Sequence, residues 1–359
     1  MHRIDSTSNV PVLPAPYPLG TPGYFAHGSA ATGTPYTVVT SDWANSVQEE
    51  IVSVITAAGL TLDKASNNQL LLALQKVGRI KVYANLNMYV SPTGDDTANG
   101  LTPGTPIKTL QLAVDRAYNQ YDFQAGTNLI INMAPGTYDQ QTGVYVALPG
   151  YGAGCVVFNG NTSNPASVVV NLSRPGSCFW VGRGGYASIQ GMTLGAPFGQ
   201  SVIGQIAGTC VGSGMGGIAN LSNVIFGASQ RSHMEAGGGG WITCRSYQIS
   251  GGAEEHIISG EGCTVDISQT TITLNNSPRF NYFAWCANGF VYAPNTTFVG
   301  SGAITNNARV LLRSGGQIAS GGKGFNFFPG SQVWVVGTGH DLDGLPAVDA
   351  VGSGGGYYG

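Results

Sequence analysis

Charge is scarce in this chain. Charged residues make up 9% of its 359 positions, against about 25% in an ordinary soluble domain. Net charge is −3 and no basic run occurs, so the electrostatic footprint of a nucleic-acid binder is missing. Apolar runs fall short of the roughly 18 residues a membrane span needs, which argues against membrane insertion. The opening residues Met1-His2-Arg3-Ile4-Asp5 lack the apolar core of a signal peptide, so the usual secretion route is not expected. None of the six cysteines forms a C-x-x-C pair, and neither G-x-S-x-G nor H-E-x-x-H is present. Asp95-Asp96 with Asn99 lacks the Asp-x-Asp-x-Asp-Gly spacing of a calcium loop. No metal or cofactor is therefore expected.

Glycine is abundant instead, at 55 residues, and the polar content is mostly Ser, Thr, Asn and Gln, which suits tight turns. From about residue 127 to 318 short β-type runs alternate with Gly-rich corners. A polar-apolar pair before a small-residue turn marks a register at Thr193-Leu194, Ile225-Phe226, Gln248-Ile249, Thr273-Leu274, Thr297-Phe298 and Gln317-Ile318. The pair recurs roughly every two dozen positions, with one longer excursion between Thr193 and Ile225. Units of that size cannot bury an apolar face alone and must stack. Because the unit is β-rich and lacks a helix, the reading is a mainly β fold: a parallel β-helix over 127–350. Cys155 to Cys178 and Cys263 to Cys286 are equal intervals, each close to one rung. These cysteines are buried thiols acting as small hydrophobes, or stacked disulfides.

Ahead of the repeats, residues 1–40 read as an extended arm. A helix opens at Ser41 or Asp42 as N-cap and ends at Gly59. A second is expected from Ser66 to Val77, with Ser66-Asn67-Asn68-Gln69 as capping box and Leu70, Leu71 and Leu74 as apolar stripe. This hairpin, 41–79, has too little core to stand alone and is expected to attach or trimerise. Residues 80–126 hold a strand, a polar loop and a third helix from Thr105 to about Tyr118. That helix buries Leu110, Ala113, Val114 and Ala117 and caps the first rung. Residues 351–359 form a Gly/Tyr-rich tail, either frayed or docking a partner through Tyr357 and Tyr358.

Two segments resemble known families. Gly20-Thr21-Pro22-Gly23-Tyr24-Phe25, Ala31-Thr32-Gly33-Thr34-Pro35, Asp42-Trp43-Ala44-Asn45-Ser46-Val47-Gln48-Glu49-Glu50-Ile51, Ala58-Gly59-Leu60 and Asn68-Gln69-Leu70-Leu71 resemble the N-terminal region of tailed-phage and prophage tail fibres. Tyr89 to Asp96 and Asn99 to Pro106 resemble the opening segment of pectate-lyase-like right-handed β-helices, which phage tailspikes share. The resemblance implies a homotrimeric virion fibre fixed to baseplate or tail proteins through Trp43, Val47, Glu49, Glu50 and Ile51. It would be assembled in the host cytoplasm, released by lysis, and turned towards a host surface glycan or other receptor. An enzymatic tailspike depolymerase and a connector carrying a separate receptor-binding protein are the competing readings.

β-helix enzymes that cut glycans use paired carboxylates on one face. The densest clusters are Arg231-Ser232-His233-Met234-Glu235 and Glu254-Glu255-His256. They stand about one rung apart in sequence and so are expected at one corner of neighbouring rungs. Glu235, Glu254, Glu255, His233, His256 and Asp266 are the catalytic candidates. The same cluster also fits a charged corner that keeps the rod soluble. As neighbours on a strand, Glu254 and Glu255 would face opposite sides, a poor acid pair. Sugar rings also stack on aromatics, and Phe280, Tyr282 and Phe283, expected in a loop, are the binding candidates together with Trp285. Interior stacking or packing between copies is the alternative for them.

Overall fold

One corner, repeated, organises the larger part of this protein. In the computed structural model, which describes residues 2–18, 20–140, 143–147, 154, 156–197, 208–300, 305–323, 327–329, 333–336 and 340–341, pairs of left-handed residues recur. They include Arg183 and Gly184, Met215 and Gly216, Gly238 and Gly239, Glu261 and Gly262, and Ser314 and Gly315, with φ between 49 and 79°. Two successive positive φ values make a type I′ turn, whose second position glycine fills without strain. The next residue must approach the previous rung closely. A Cβ on Gly217 would lie 2.2 Å from the Val181 carbonyl oxygen.

Each corner launches a strand that pairs in parallel with its predecessor. The first column contains Leu86–Val90, Leu129–Met133, Val156–Asn159, Tyr186–Ala196, Ile218–Ser229, Trp241–Arg245, Thr264–Asp266, Phe290–Tyr292, Gln317–Ala319 and His340–Asp341, in that spatial order. The long strands Tyr186–Ala196 and Ile218–Ser229 continue into a second column with Gly136–Gln140, Val168–Leu172, Tyr247–Ile249, Thr271–Leu274 and Thr297–Val299. A third column is a separate sheet running from Val144–Ala147 through Ser177–Gly182, Thr209–Ser213, Ser232–Ala236, Glu255–Gly260, Arg279–Ala287 and Thr305–Arg313 to Val333–Val336. The chain visits the columns in turn, so the structure is mainly β with long parallel sheets, consistent with a parallel β-helix. Three α-helices accompany them among the described residues.

The register corrects part of the sequence marker. Thr193 pairs with Ile225, Ile225 with Gln248 and Gln248 with Thr273, as the marker requires. Thr273 then pairs with Val299 rather than Thr297, a slip of two that keeps every side chain on its own side. Gln317-Ile318 belongs to the first column, opposite Phe290-Val291. Along that column Tyr186 pairs with Ile218, Ile218 with Trp241, Trp241 with Thr264, Thr264 with Phe290 and Phe290 with Gln317. Four of these residues, Tyr186, Ile218, Trp241 and Gln317, directly follow a Gly-Gly corner, so the corner turn sets this register better than the polar-apolar pair does.

The chain divides into two units, one ending at Ile80 and one beginning at Lys81. In the first, helix α1 (Ser41–Ala57) is capped by Thr40, whose hydroxyl accepts the Trp43 N–H at 3.3 Å. Asp42 accepts the Tyr17 N–H at 2.7 Å instead, so the expected Ser41 or Asp42 cap is displaced. Helix α2 (Gln69–Val77) starts later than expected, without a side-chain cap. The Gln69 amide is spent on the Thr61 carbonyl and the Asp63 N–H, so the capping box does not close. α2 turns Gln69 and Ala73 inward, whereas Leu70, Leu71 and Leu74 are exposed.

In the second unit, helix α3 (Leu110–Gln120) buries Leu110, Ala113, Val114 and Ala117 in the core of the stack, as their spacing predicts. It begins after Ile107, which bridges Val90, and Asp96 accepts the Lys108 and Thr109 N–H groups at its start. Cys178, Cys210, Cys244, Cys263 and Cys286 are buried free thiols. Cys155 lies outside the described residues. Cys178 stands beside Cys210, because their flanking residues pair across the longer rung.

Candidate functional site

The two clusters singled out by charge do meet, on the third column, but the sheet divides them. Ser232 pairs with Glu255, Met234 with Ile257 and Glu235 with Ile258. Between those registers His233 and His256 turn inward and are fully buried. The carboxylates stay on the outer side.

Outside, Arg231 grips Glu235 through two hydrogen bonds of 2.9 and 3.1 Å. The same carboxylate accepts the Thr209 hydroxyl at 3.0 Å and the Ser232 hydroxyl at 3.3 Å. Glu235 is thus fully engaged in holding neighbouring rungs together. Glu254 sits at the corner before the strand rather than on it, so the alternation expected of the two glutamates does not apply. Its charge acts on Glu255. Burial, and then Glu254, push the Glu255 carboxyl up to about 7 against the pull of Arg231. The outer side therefore presents one spent carboxylate, one corner carboxylate and one acid that titrates near neutrality.

Inside, the hydrogen bonds form a single file. The Gly227 carbonyl can only accept, so His233 donates to it from Nε2 at 2.9 Å. Nδ1 of His233 is then bare and accepts from Nδ1 of His256 at 2.9 Å. Nε2 of His256 accepts the Tyr247 hydroxyl at 2.9 Å. Every ring nitrogen is satisfied with both imidazoles neutral. Burial lowers the His233 pKa to about 3 and moves His256 in the same direction. Phe226 stacks on His233 at 5.0 Å, Phe283 lies 4.8 Å from His256 and Phe280 5.4 Å from His233. The histidines are core residues, and the reading that groups them with the acids is corrected.

The aromatic candidates divide in the same way. They lie on the nine-residue strand Arg279–Ala287, not in a loop. Phe280 and Phe283 are buried beside the histidines, where no receptor reaches them. Tyr282 and Trp285 are in register with Glu255 and Ile258 and only half-buried. Asp266 lies in the first column. Burial opposes its ionisation, but hydrogen bonds from Arg245 at 2.7 Å and from the Ser268 N–H at 2.8 Å hold its carboxyl below the ordinary range.

In the first unit, Trp43 is half exposed and meets Phe25 edge-on at 5.3 Å, Val47 and Glu50 are exposed, and Ile51 is half-buried. Glu49 holds Arg3 at 2.7 and 2.8 Å. Tyr357 and Tyr358 lie outside the described residues. Among the described residues no group of three or more His, Cys, Asp or Glu could hold a metal ion, and no helix is long and apolar enough to cross a membrane.

One exposed set escaped the sequence reading: Tyr186, Ile218, Trp241 and Tyr292, outward on the first column. The signal was available. Tyr186, Ile218 and Trp241 each follow a Gly-Gly pair, as the first residue after the rung corner.

Comparison with known proteins gives one local relative. Over 112 residues the chain is 35% identical to the uncharacterized protein StfP of Escherichia coli K12, spanning 31% of this chain and 47% of that protein. The chain thus spans about half the length of the curated relative it matches. No family model matches. Among solved structures, Escherichia coli YbhC aligns over 93% of this chain and 89% of its own, at a TM-score of 0.42 and 16% identity.

Proposed function

We propose that this chain is a tail fibre or short tailspike protein of a tailed phage or prophage. Residues 1–79 attach it to the baseplate or tail. The parallel stack, read as a right-handed, pectate-lyase-like β-helix, presents a rigid surface for host-cell recognition and adsorption. The working form is a homotrimer carried on the virion, assembled in the host cytoplasm and released by lysis.

The observation that carries this reading is the unmet apolar surface of the first unit. Its helices bury Val52, Ile55 and Ala73, while Trp43, Val47, Leu70, Leu71, Leu72, Leu74 and Val77 are exposed. A segment of that composition is covered by copies of itself and by a partner when at work. The local match to StfP and the tail-fibre-like motifs of residues 20–71 support the same reading.

The depolymerase alternative draws on the elevated Glu255 carboxyl. Its second acid would have to be the adjacent corner residue Glu254, since Glu235 is held by Arg231 and two hydroxyls. The test is direct. Sedimentation of the full chain gives a threefold mass, and labelled protein binds bacterial cells without shortening their surface polysaccharide. A monomer that binds no cells refutes the adsorption reading, and shortened glycan replaces it with the depolymerase. The connector reading rests on Tyr357 and Tyr358, and predicts cell binding only with a second protein present.

A further inference from the structure

We infer that the outer side of the first column is a binding platform for an uncharged glycan, centred on Tyr186, Ile218 and Trp241. The inference rests on the adsorption reading and gives it a site. These three residues pair in register on consecutive rungs and are 40, 42 and 47% exposed. Rungs advance by about 4.8 Å, so Tyr186 and Trp241 stand about 10 Å apart, a disaccharide's span. Thr264 and Phe290 continue the line.

Two positions further along each strand, and so on the same side, runs a second line: Ser188, Asn220, Thr243, Asp266 and Tyr292. It locks the rings. Trp241 Nε1–H donates to the Thr243 hydroxyl at 3.1 Å, and the Asn220 amide donates to the Tyr186 hydroxyl at 2.8 Å. Fixed rings lose little freedom when a ligand lands on them. Tyr186, by accepting from Asn220, keeps its own proton to donate outward.

The occupant follows from polarity and charge. Arg245 and Asp266 bind each other, and the corners that open the column add one exposed cation, Arg183, and one exposed anion, Glu261, so these groups sum to no net charge for a charged polymer. The remaining groups are ring faces interleaved with hydroxyls and amides. An amide ladder extends the same side, from Gln190 to Asn159 at 2.9 Å, Asn159 to Asn132 at 3.2 Å and Asn132 to Asn87 at 3.1 Å. A second copy of the apolar stripe, pressed on this surface, would bury the donor and acceptor capacity that these amides and hydroxyls keep beyond their bonds to one another. A sugar meets both needs, with its C–H face on the rings and its hydroxyls on the flanking line.

The test uses the full-length protein on an immobilised panel of neutral oligosaccharides built from hexoses and N-acetylhexosamines. Wild type retains at least one of them. Trp241→Ala and Ile218→Lys, both at exposed positions, each weaken retention tenfold or more while melting temperature and sedimenting mass stay unchanged. Retention unaffected by both substitutions overturns the platform, as does retention of charged glycans only or of none. A change in sedimenting mass would make the stripe a contact between copies, which also overturns it. Cell binding separates the two levels. Variants that adsorb like wild type leave the adsorption reading standing without this platform, and wild type that adsorbs to no cells removes the reading itself.

Discussion

Acid should loosen this protein through its interior. His233 and His256 are buried neutral in a hydrogen-bond file that has no place for another proton. A proton on His233 Nδ1 would confront the Nδ1–H of His256, and one on His256 Nε2 would displace the Tyr247 hydrogen. The groups around them are Phe226, Phe280, Phe283 and Tyr247, with the Cys210 thiol in the neighbouring register, and none supplies a counter-charge. In the unfolded chain both histidines titrate near 6.5. With the folded pKa depressed, the unfolded state binds protons first. Stability from this pair is therefore full above about pH 6.5 and falls as pH drops, for His233 down to about 3. Each unit of pH costs about 1.4 kcal/mol per histidine, so His233 alone accounts for about 3 kcal/mol between pH 6.5 and 4. His256 adds to the loss. In a unit of this size that is a fall of roughly 5–10 °C in Tm.

Glu255 titrates in the same range with the opposite sign, so the comparison must cancel it. The informative variant is His233→Leu/His256→Leu/Tyr247→Phe, which leaves Glu255 in place. Differential scanning fluorimetry from pH 7.5 to 4 should show wild type losing those degrees relative to the variant. Parallel curves would refute the argument. Nitrogen-15 NMR gives an independent reading: His233 protonated at Nε2 and His256 at Nδ1.

Glu255 carries the mirror prediction. Its folded pKa of about 7 lies above its unfolded value, so its neutral form favours folding at low pH and that contribution is lost as pH rises through 7. Glu255→Gln should raise Tm above pH 7, by the equivalent of about 2–3 kcal/mol, and leave it nearly unchanged near pH 4.5. Thermal melts at pH 8 and 4.5 decide it, and an equal effect at both would dismiss the titration. At the rung corner, Gly217→Ala drives a Cβ into the Val181 carbonyl. It should cost several times the roughly 1–2 kcal/mol expected for Gly216→Ala, which meets open space but a φ of 73°. Equal melting temperatures for the two variants would contradict this account of the corner.

The sequence announced stacked β units through their period, and α3 through its apolar spacing. It misled where one signal had two meanings. Arg231, Glu235, Glu255 and the histidines read as a single patch because linear proximity does not tell the two sides of a sheet apart. The pairing is regular here, and both rings face the core while the carboxylates flanking them stay outside. Leu70, Leu71 and Leu74 read as a core stripe, yet α2 offers small Ala73 to α1, since a short hairpin has no room for three leucines. Phe280 and Phe283 read as loop residues because Asn275-Asn276-Ser277-Pro278 precedes them. The turn is there, with Asn276 and Ser277 at positive φ, but it ends before Arg279. Tyr186, Ile218 and Trp241 were legible in principle, each at a fixed offset from a Gly-Gly pair. Charge was the louder signal, and it pointed to another column.

That fixed offset has an evolutionary consequence. Where the paired left-handed corner recurs it supplies the same backbone geometry to whatever strand follows, and each rung pairs only with the one before and the one after. A genetic exchange that cuts at one corner and rejoins at another would deliver a whole rung in frame and in phase, with its inward residues still inward. The chain can thus lengthen, shorten or trade rungs without renegotiating its interior, while the outward positions drift at the pace of whatever they meet.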